Sequence, residues 1–600
     1  MLRVILSSFL VCLFVSSAIA QVWPLYRSGR QSQQLGSGGR AIAVDTSGYV
    51  QMVSRRFHPV QCSYGVNFHY TFNNTTSSFE WGQNQVNNTA TALNIRIALL
   101  GDGRGFTVAN GGDIGTDGRL ILSGDVVPRA GAFVELINDQ WAHFEPRIAT
   151  DLQGRLHVLS HIGTGDSVQR VYLRYIPVYG DAEFVESATL DQFYPATLFG
   201  DGRYSCVRGG GEIVTSHVSN RVAVLWLSPG SVLRPVSSAN NDLFMLLSED
   251  GGDNWEPPVN LTQFTSPDTA LFQETGNWRC ANRDTLRAIF DVSAVFDNND
   301  QLNVVFTTAA YYHWINGVET HGSDRNRAIV WHWQQETNSF LPVSSLWYSD
   351  YSLRPGVRGD QTAVAAPSFS YDRENEQLYC AFSRLDTSQY SYSLYSYDVF
   401  LCELDVPGQG WSAPINVTET EVESSPSQLW AFQSEEDVCV SANTYERQLF
   451  LQYVFDRYGE AVVPEPFGTE YEVRFQRVSL ESLNFTDYSV PPVPLHVNPS
   501  HCDSILTTDD VALVTGFSLA AYPNPFNSSV TLEYVLSKAS EVDLRIFDVQ
   551  GRVTTLLVNS PQLVGTHRVT WSAYEAASGV YFARIKTSDE NHTVKLLLLK

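Results

Sequence analysis

A short structural unit recurs through most of this chain: an apolar strand, a tight turn rich in Asp, Asn and Gly, and a second apolar strand. One such hairpin cannot bury its own apolar face, so its repetition every ~50 to 80 residues indicates a β-propeller or a similar array. A β-sandwich stays an alternative, but seven similar hairpins favour a closed ring. The turns with their second strands are DTSGYVQMV (45–53), GDGRGFTVA (101–109), DLQGRLHVL (151–159), HVSNRVAVL (217–225), DNNDQLNVV (297–305), DRENEQLYC (372–380) and NTYERQLFL (443–451).

A second marker within this region is the segment LSEDGGDNW, in which Ser248, Asp250, Gly252 and Trp255 have the spacing S-x-D-x-G-x-x-W. In such a turn the carboxylate accepts backbone hydrogen bonds, the glycine permits an unusual backbone conformation, and the indole packs beneath. The sequence resembles the Asp-box of sialidase-like β-propellers. We interpret these four residues as structural.

The stretch that follows the Asp-box also repeats, because WEPPVNLT at 255–262 resembles WSAPINVT at 411–418. Residues 21–485 therefore resemble the sialidase-like propeller superfamily. Six blades would match sialidases, whereas the hairpin count is seven, so the predicted fold is all-β: a six- or seven-bladed propeller followed by a small Ig-like β-sandwich.

The two ends of the chain indicate export. Residues 1–20 combine Arg3, a short apolar run and an Ala-Ile-Ala end, which is typical of a signal peptide and too short for a membrane span. No later stretch is long and apolar enough for a spanning helix, so we expect no transmembrane segment after signal removal. Residues 486–516 contain a proline-rich stretch and are predicted to be a linker.

The C-terminal residues 517–600 carry ordered motifs: YPNPF at 522–526, IFDVQGR at 546–552, ASGVYFARI at 577–585 and a terminal KLLLLK. This segment resembles the type A C-terminal sorting domain of the type IX secretion system. The resemblance implies an Ig-like fold, handling by the type IX machinery, and a secreted or outer-membrane surface-attached protein. Five segments read as strands: 530–534, 542–547, 567–571, 580–585 and 594–598.

Charge changes sharply between the two parts. Residues 21–516 contain 30 arginines, no lysine and 57 acidic residues, a net charge of −27, whereas all four lysines lie after residue 516. This acidity excludes duplex nucleic acid as a partner, because its binding needs a cationic surface. It is compatible with calcium, which prefers oxygen ligands. We expect no cofactor to be required.

Cysteine is less informative. Seven cysteines follow the predicted signal peptide, which is an odd number, and none forms a C-x-x-C pair. Export permits disulfides, but the sequence does not give their pairing.

Propeller geometry narrows where a ligand site can lie. The hairpin turns occupy one face, so residues that follow the second strand or precede the first line the opposite mouth of the channel. Arginines, acids and a histidine at such positions can hold an acidic sugar or act in acid–base hydrolysis. The candidate ligand-binding residues are Arg55, Arg56, Glu145, His161, Asp360, Arg384, Asp386 and Asp456.

The predicted function is that of a secreted or cell-surface propeller that binds an extracellular ligand such as a glycan. The first-blade F-R-I-P motif of sialidases is not recognisable, so no catalytic residue is assigned and the question of enzyme activity stays open. The alternatives are an exo-sialidase-like glycoside hydrolase or a lyase acting at the channel mouth, and a structural or adhesive surface protein.

Overall fold

The computed structural model divides the chain into two compact units, Met1–Pro499 and Ser500–Lys600. Each unit is described below by itself. The structure describes residues 21–28, 39–57, 65–86, 93–111, 119–138, 143–162, 169–175, 178–179, 184–185, 191–193, 211–228, 241–264, 286–315, 318–347, 362–385, 397–405, 410–418, 434–456, 471–486, 518–522, 524–536, 540–562, 565–574, 576–587 and 591–599. The predicted signal peptide and nearly all of the predicted linker lie outside these residues.

Seven antiparallel sheets with at least four strands make up the first unit over the described residues. From inner to outer strand, the first sheet contains β2 (Ile42–Val44), β3 (Tyr49–Phe57), β4 (Gly65–Asn73) and β5 (Ser78–Gln85), and the second contains β6 (Leu93–Leu99), β7 (Gly105–Gly111), β8 (Arg119–Asp125) and β9 (Phe133–Asn138). The third sheet contains β10 (His143–Thr150), β11 (Leu156–Ile162), β12 (Gln169–Tyr175) and β15 (Asp191–Phe193). The fourth contains β16 (Gly211–Thr215), β17 (Val222–Ser228), β18 (Asp242–Ser248) and β19 (Val259–Asn260).

The fifth sheet contains β20 (Leu286–Phe296), β21 (Leu302–Ile315), β22 (Val318–Gln334) and β23 (Ser339–Trp347). The sixth contains β24 (Val364–Asp372), β25 (Gln377–Leu385) and β26 (Tyr397–Asp405), and both β27 (Gly410–Trp411) and β28 (Ile415–Asn416) pair with β26. The seventh contains β29 (Ser434–Val440), β30 (Gln448–Asp456), β31 (Tyr471–Ser479) and β1 (Gln21–Ser28). A separate hairpin pairs β13 (Val178–Tyr179) with β14 (Phe184–Val185). One 3₁₀ turn, Leu480–Ser482, follows β31.

The seven sheets form a closed ring. The inner strands β2, β6, β10, β16, β20, β24 and β29 contact one another in this order, and β29 contacts β2. The unit is therefore a seven-bladed β-propeller, which decides between the six and seven blades that the sequence left open. Strand β1 pairs with β31 as the outermost strand of the last blade, so the two ends of the unit close the ring together.

Each of the seven predicted hairpins joins the inner strand of a blade to its second strand. The aspartate that begins many of these turns explains their recurrence. In the first turn Asp45 Oδ1 accepts the backbone N–H groups of Ser47 and Tyr49 at 2.8 and 3.0 Å. The same two-bond pattern recurs at Asp151 and Asp297, whereas Asp372 Oδ1 accepts the backbone N–H groups of Glu374 and Asn375. The turns are thus set by local Asx chemistry.

The repeated W-x-x-P-x-N-x-T stretch also has a structural explanation. In the fourth blade Asn260 donates its side-chain amide to Asp242, and the hydroxyl of Thr262 accepts the backbone N–H of Leu243. In the sixth blade Asn416 donates to Asp398 in the same way, and Thr418 accepts the N–H of Val399. The repeat therefore fastens the outer strand of a blade to the strand before it.

Apolar side chains of adjacent blades pack together and form the core. Cluster members from the fourth and fifth blades include Leu225, Leu247, Phe306 and Trp331. The indole of Trp331 is buried and donates a hydrogen bond to Thr308 Oγ1 at 2.9 Å, which satisfies its polar atom. Large rings thus fill the space between these two blades.

The second unit is a sandwich of two antiparallel sheets over the described residues. One contains β32 (Ser518–Tyr522), β33 (Ser529–Leu536) and β36 (Gly565–Ser572), and the other contains β35 (Val553–Gln562), β34 (Ser540–Phe547), β37 (Gly579–Lys586) and β38 (Asn591–Leu598). Trp571 and Phe526 lie in its core. The five predicted strands are all present, and β32 and β35 were not predicted. Among the described residues, no helix has the length and apolarity needed to cross a membrane.

Candidate functional site

The ends of the second strands define one face of the propeller, which we call the strand-end face; Phe57, Ile162, Leu385 and Asp456 mark it. The hairpin turns define the opposite turn face. The predicted residues Arg55, Arg56, His161, Arg384 and Asp456 lie at the ends of second strands, and Glu145 lies near the start of an inner strand. Asp360 and Asp386 lie outside the described residues, as do the side chains of Arg56, His161 and Asp456.

Arg55 and Asn67 form a buried polar pair at the strand-end side of the first blade. They are opposite each other on β3 and β4, and their exposed fractions are 3% and 0%. Burial lowers the pKa of Arg55 to about 10. Neither amide atom of Asn67 has a hydrogen-bond partner in the described part of the chain. The sequence predicted Arg55 at an open mouth, whereas the structure places it within the polar interior just below that face.

A ring of inner-strand positions lines the channel at one height. Five of its seven members stand three residues before the last residue of their inner strand, and sequence reasoning missed all seven. They are Ala41, Arg96, Arg147, Glu212, Ser293, Ser368 and Cys439. Several bind the backbone of a neighbouring blade: Ser293 Oγ accepts the N–H of Phe369 at 3.2 Å, and Ser368 Oγ accepts the N–H of Val440 at 3.1 Å. The ring therefore links inner strands across blade boundaries.

Arg40 occupies the channel beside this ring. Its guanidinium donates to the carbonyl oxygens of Phe369 and Val440 at 2.8 Å each and to that of Ala294 at 3.0 Å. Phe369 belongs to the sixth blade, Val440 to the seventh and Ala294 to the fifth, and Arg40 itself precedes the inner strand of the first blade. One side chain thus joins four blades at the axis.

The charged ring members form a mixed ionic cluster. Glu212 Oε2 accepts the N–H of Gly39 at 3.1 Å, and burial raises the pKa of Glu212 although Arg40 and Arg147 oppose the shift. Burial, and then the proximity of Arg147, lowers the pKa of Arg96 to about 10. The cluster therefore holds positive and negative groups with little water between them.

Gly39 is required where the chain enters this cluster. Its φ is +70°, and an added Cβ would lie 2.3 Å from Cδ of Arg147. Arg147 turns its guanidinium towards the strand-end face, where Nη1 donates to the carbonyl of Glu145 at 2.7 Å. Glu145 also stabilises the charges of Arg96 and Arg147. The structure thus brings the predicted residue Glu145 together with two arginines that were not predicted.

Arg384, another predicted residue, is half-buried at the end of β25. Its guanidinium carbon lies 5.4 Å from the ring centroid of Phe400, and its cross-strand neighbour is Asp398. This arrangement holds a cation on an aromatic ring at the strand-end face.

The turn from Ser248 to Trp255 lies on the turn face, between β18 and β19. Asp250 Oδ1 accepts the backbone N–H of Asn254 at 2.8 Å, and Gly252 donates to Ser248 Oγ at 2.8 Å. Hydrogen bonds from Asn254 lower the pKa of Asp250 to about 2. The indole of Trp255 packs edge-on against Tyr172 of the preceding blade, with centroids 5.0 Å apart. These contacts give the turn a structural role away from the strand-end face.

We expect Trp255→Ala to destabilise the propeller by about 3 kcal/mol, because the indole packs against Tyr172 but is partly exposed. Asp250→Ala should cost about 1 kcal/mol through lost turn hydrogen bonds. Urea unfolding measures both. Glu256→Ala, an exposed residue next to Trp255, is the control and should stay within about 0.5 kcal/mol. A stable Asp250 variant that had lost ligand binding would place the site on the turn face instead.

The described part of the chain contains no recognisable metal-binding site. No group of three or more His, Cys, Asp or Glu side chains there is arranged to hold an ion. Several acidic side chains there instead accept turn hydrogen bonds or pair with arginines, as Asp151 does with Arg155. Calcium binding stays a prediction.

Solved structures with similar folds are glycan-active enzymes. The polysaccharide lyase Uly1 has 12% identity and a TM-score of 0.43, covering 76% of this chain and 94% of its own. A PL25 ulvan lyase bound to -[GlcA(1-4)Rha3S]- has 10% identity and a TM-score of 0.41, covering 73% and 96%. The GH93 α-L-arabinofuranosidase of Fusarium graminearum with arabinobiose has 11% identity and a TM-score of 0.33, covering 65% and 94%. Likenesses at this level carry no argument about activity.

Sequence comparison is informative only at the C-terminal end. No curated protein matches the chain. Residues 520–599 match the profile of the secretion system C-terminal sorting domain, and they coincide with the sandwich whose core contains Trp571. This protein therefore carries a type IX sorting domain behind an all-β propeller, and it is secreted or attached to the cell surface.

Proposed function

We propose that the exported propeller binds an anionic extracellular glycan at its strand-end face. The observation that carries this proposal is a set of arginines at or beneath that face: Arg384 is half-buried at the end of β25, and Arg55, Arg96 and Arg147 are buried below the face. The surrounding body has a net charge of −27. Positive charge gathered at one end of an acidic ring is suited to carboxylate or sulfate groups of a sugar.

The polar interior beneath this face supports the proposal. Asn67 is wholly buried beside Arg55, and its amide has no partner in the described residues. A buried amide without partners is costly, and it is commonly explained by an ordered water or a ligand. The Ser248–Trp255 turn supports a sialidase-like propeller in which this turn is structural and the opposite face is functional.

Binding can be tested on an array of sulfated, uronate-containing and neutral glycans, followed by calorimetric titration of the best ligand. We expect Arg56→Ala and Arg384→Ala to weaken binding by about 10-fold or more each, because charge-assisted hydrogen bonds contribute about 1.5–3 kcal/mol. Arg104→Ala on the turn face is the matched control and should bind normally. The negative body opposes the ligand at long range, so salt should weaken binding only modestly.

Binding that ignores both substitutions would remove the arginine proposal and leave the fold unchanged. A preference for neutral glycans would remove the anionic class. The thermal unfolding of each variant, measured beside its binding, shows whether a loss of affinity reflects the site or the fold.

A second candidate is cleavage of the bound glycan. Glu145 and Glu212 both interact with Arg147, and burial raises the pKa of Glu212 so that it holds a proton more readily. A carboxylic acid with a carboxylate is the pair used in glycoside hydrolysis. New reducing ends, or ultraviolet absorption from an unsaturated lyase product, would favour this candidate if they disappeared in Glu145→Gln. Binding without either product favours the non-catalytic protein.

A further inference from the structure

Two buried cysteines face each other in the sixth blade. Cys380 on β25 and Cys402 on β26 are direct partners in the antiparallel register, and both are wholly buried. Directly opposite residues of an antiparallel pair project to the same side of the sheet. Both side chains accordingly belong to one apolar cluster with Phe369 and Phe382. Both cysteines are free thiols in the structure, and they share one apolar cluster.

The hydrogen-bond pattern fixes the kind of pair that they form. The N–H of Leu385 donates to the carbonyl oxygen of Ala363, on the side of the inner strand. Successive residues of a strand direct their backbone N–H and C=O groups to opposite neighbours, so those of Cys380, five residues earlier, point to β26. On β26 the carbonyl of Glu403 accepts the N–H of Ser412, which lies on the outer side of the blade. The backbone groups of odd-numbered residues of β26 therefore point outwards, and those of Cys402 point to β25.

Cys380 and Cys402 thus form a hydrogen-bonded pair, whose Cα atoms are about 5.5 Å apart in antiparallel sheets. Disulfides span Cα separations of about 4.4–6.8 Å, most often near 5.5–6 Å. The register of β25 and β26 therefore favours a Cα separation within the range that a disulfide needs.

We propose that Cys380 and Cys402 are joined by a cross-strand disulfide in the exported protein. The two thiols lose two protons and two electrons, and one S–S bond forms. The oxidant is a disulfide-bearing thiol oxidoreductase or small-molecule disulfide of the oxidising export compartment, whose own S–S bond is reduced to two thiols through a mixed disulfide.

The surroundings of the pair also predict when the bond forms. Burial raises the pKa of both thiols well above the usual range, so the folded protein contains almost no thiolate to attack a disulfide. We therefore expect the two thiols to be oxidised while the chain folds, before β25 and β26 pack against their neighbours. Once enclosed, the bond resists reductants.

Cys439 provides an internal control. It is a buried thiol like the other two, but its cross-strand partner is Gln452. No cysteine lies opposite Cys439 on the adjoining strand β30, so we expect Cys439 to remain a thiol.

The test is disulfide mapping of the full chain purified from the oxidising compartment. The protein is unfolded in an alkylating reagent without reductant and digested, and we expect a peptide pair linked through Cys380 and Cys402, lighter by two hydrogens than its reduced form. The folded protein should keep this bond in dithiothreitol, and the unfolded protein should lose it. Alkylation of Cys380 and Cys402 as free thiols, or linkage of either to another cysteine, would overturn the proposal.

Variants give a second readout. Replacing both cysteines by serine should lower Tm by about 3–10 °C relative to the oxidised protein, and fully reduced, refolded wild type should fall by a similar amount. Cys439→Ser should keep the linked peptide. If oxidised and reduced wild type unfolded at the same temperature and no linked peptide appeared, the proposal would fail whatever the variants did.

Discussion

Deletion of residues 517–600 will leave a folded propeller inside the periplasm, and its appearance in the medium or at the cell surface will fall to background. The physical reason is that the sorting domain is a compact unit with its own core, so its removal takes no strand from the propeller. Cell fractionation with immunoblotting measures location, and protease resistance measures folding. Normal surface or medium levels of the truncated protein would contradict the sorting role of this domain.

A matched pair of aromatic substitutions refines this experiment. Trp571 is 2% exposed in the sandwich core, whereas Tyr574 is 81% exposed. Trp571→Ala should cost about 3–5 kcal/mol, unfold the small sandwich and reproduce the export defect. Tyr574→Ala should be exported normally. Equal export of the two variants would mean that sorting does not need the folded sandwich.

Substitution of Arg40 by Ala will destabilise the propeller by about 3 kcal/mol or more, because hydrogen bonds that involve a charged group contribute about 1.5–3 kcal/mol each. The change leaves the carbonyls of Phe369, Val440 and Ala294 without their shared donor, and it takes a cation away from Glu212. Guanidinium unfolding of the purified first unit measures the loss. A cost below about 1 kcal/mol would show that water replaces the guanidinium at the axis.

The control for Arg40 is Arg104, whose ion pair with Asp102 lies at the turn face with the acid 46% exposed. Arg104→Ala should cost less than about 1 kcal/mol, as exposed ion pairs do. Arg40→Lys separates charge from geometry: a lysine keeps the positive charge but cannot direct its donors to three separated carbonyls, so most of the loss should persist.

Local chemistry explains what the sequence predicted correctly. An aspartate such as Asp45 or Asp297 closes its turn with two backbone hydrogen bonds inside five residues, so each hairpin can be recognised without its neighbours. The strands of the sorting domain are similarly marked by alternation. Strands β32 and β35 were missed because the polar and apolar residues of Ser518–Tyr522 and Val553–Gln562 do not separate clearly.

Candidate ligand-binding positions were only partly predictable. Strand order places Arg55 and Arg384 at the strand-end face, as the hairpin topology implies. The channel ring was missed because Arg96, Arg147 and Glu212 share no local motif. Their common signal is a position three residues before the end of an inner strand, and its meaning depends on strand register.

The repeating hairpins, the all-β class and the sorting domain could be predicted from the sequence, because Asx turns, alternating strands and terminal motifs act over a few residues. Three features became apparent only in the fold: the number of blades, the pairing of Gln21–Ser28 with Tyr471–Ser479, and the contacts of Arg40 with three distant blades. These contacts join residues hundreds of positions apart. They form only when the ring closes and the inner strands enclose the channel, so no local pattern records them.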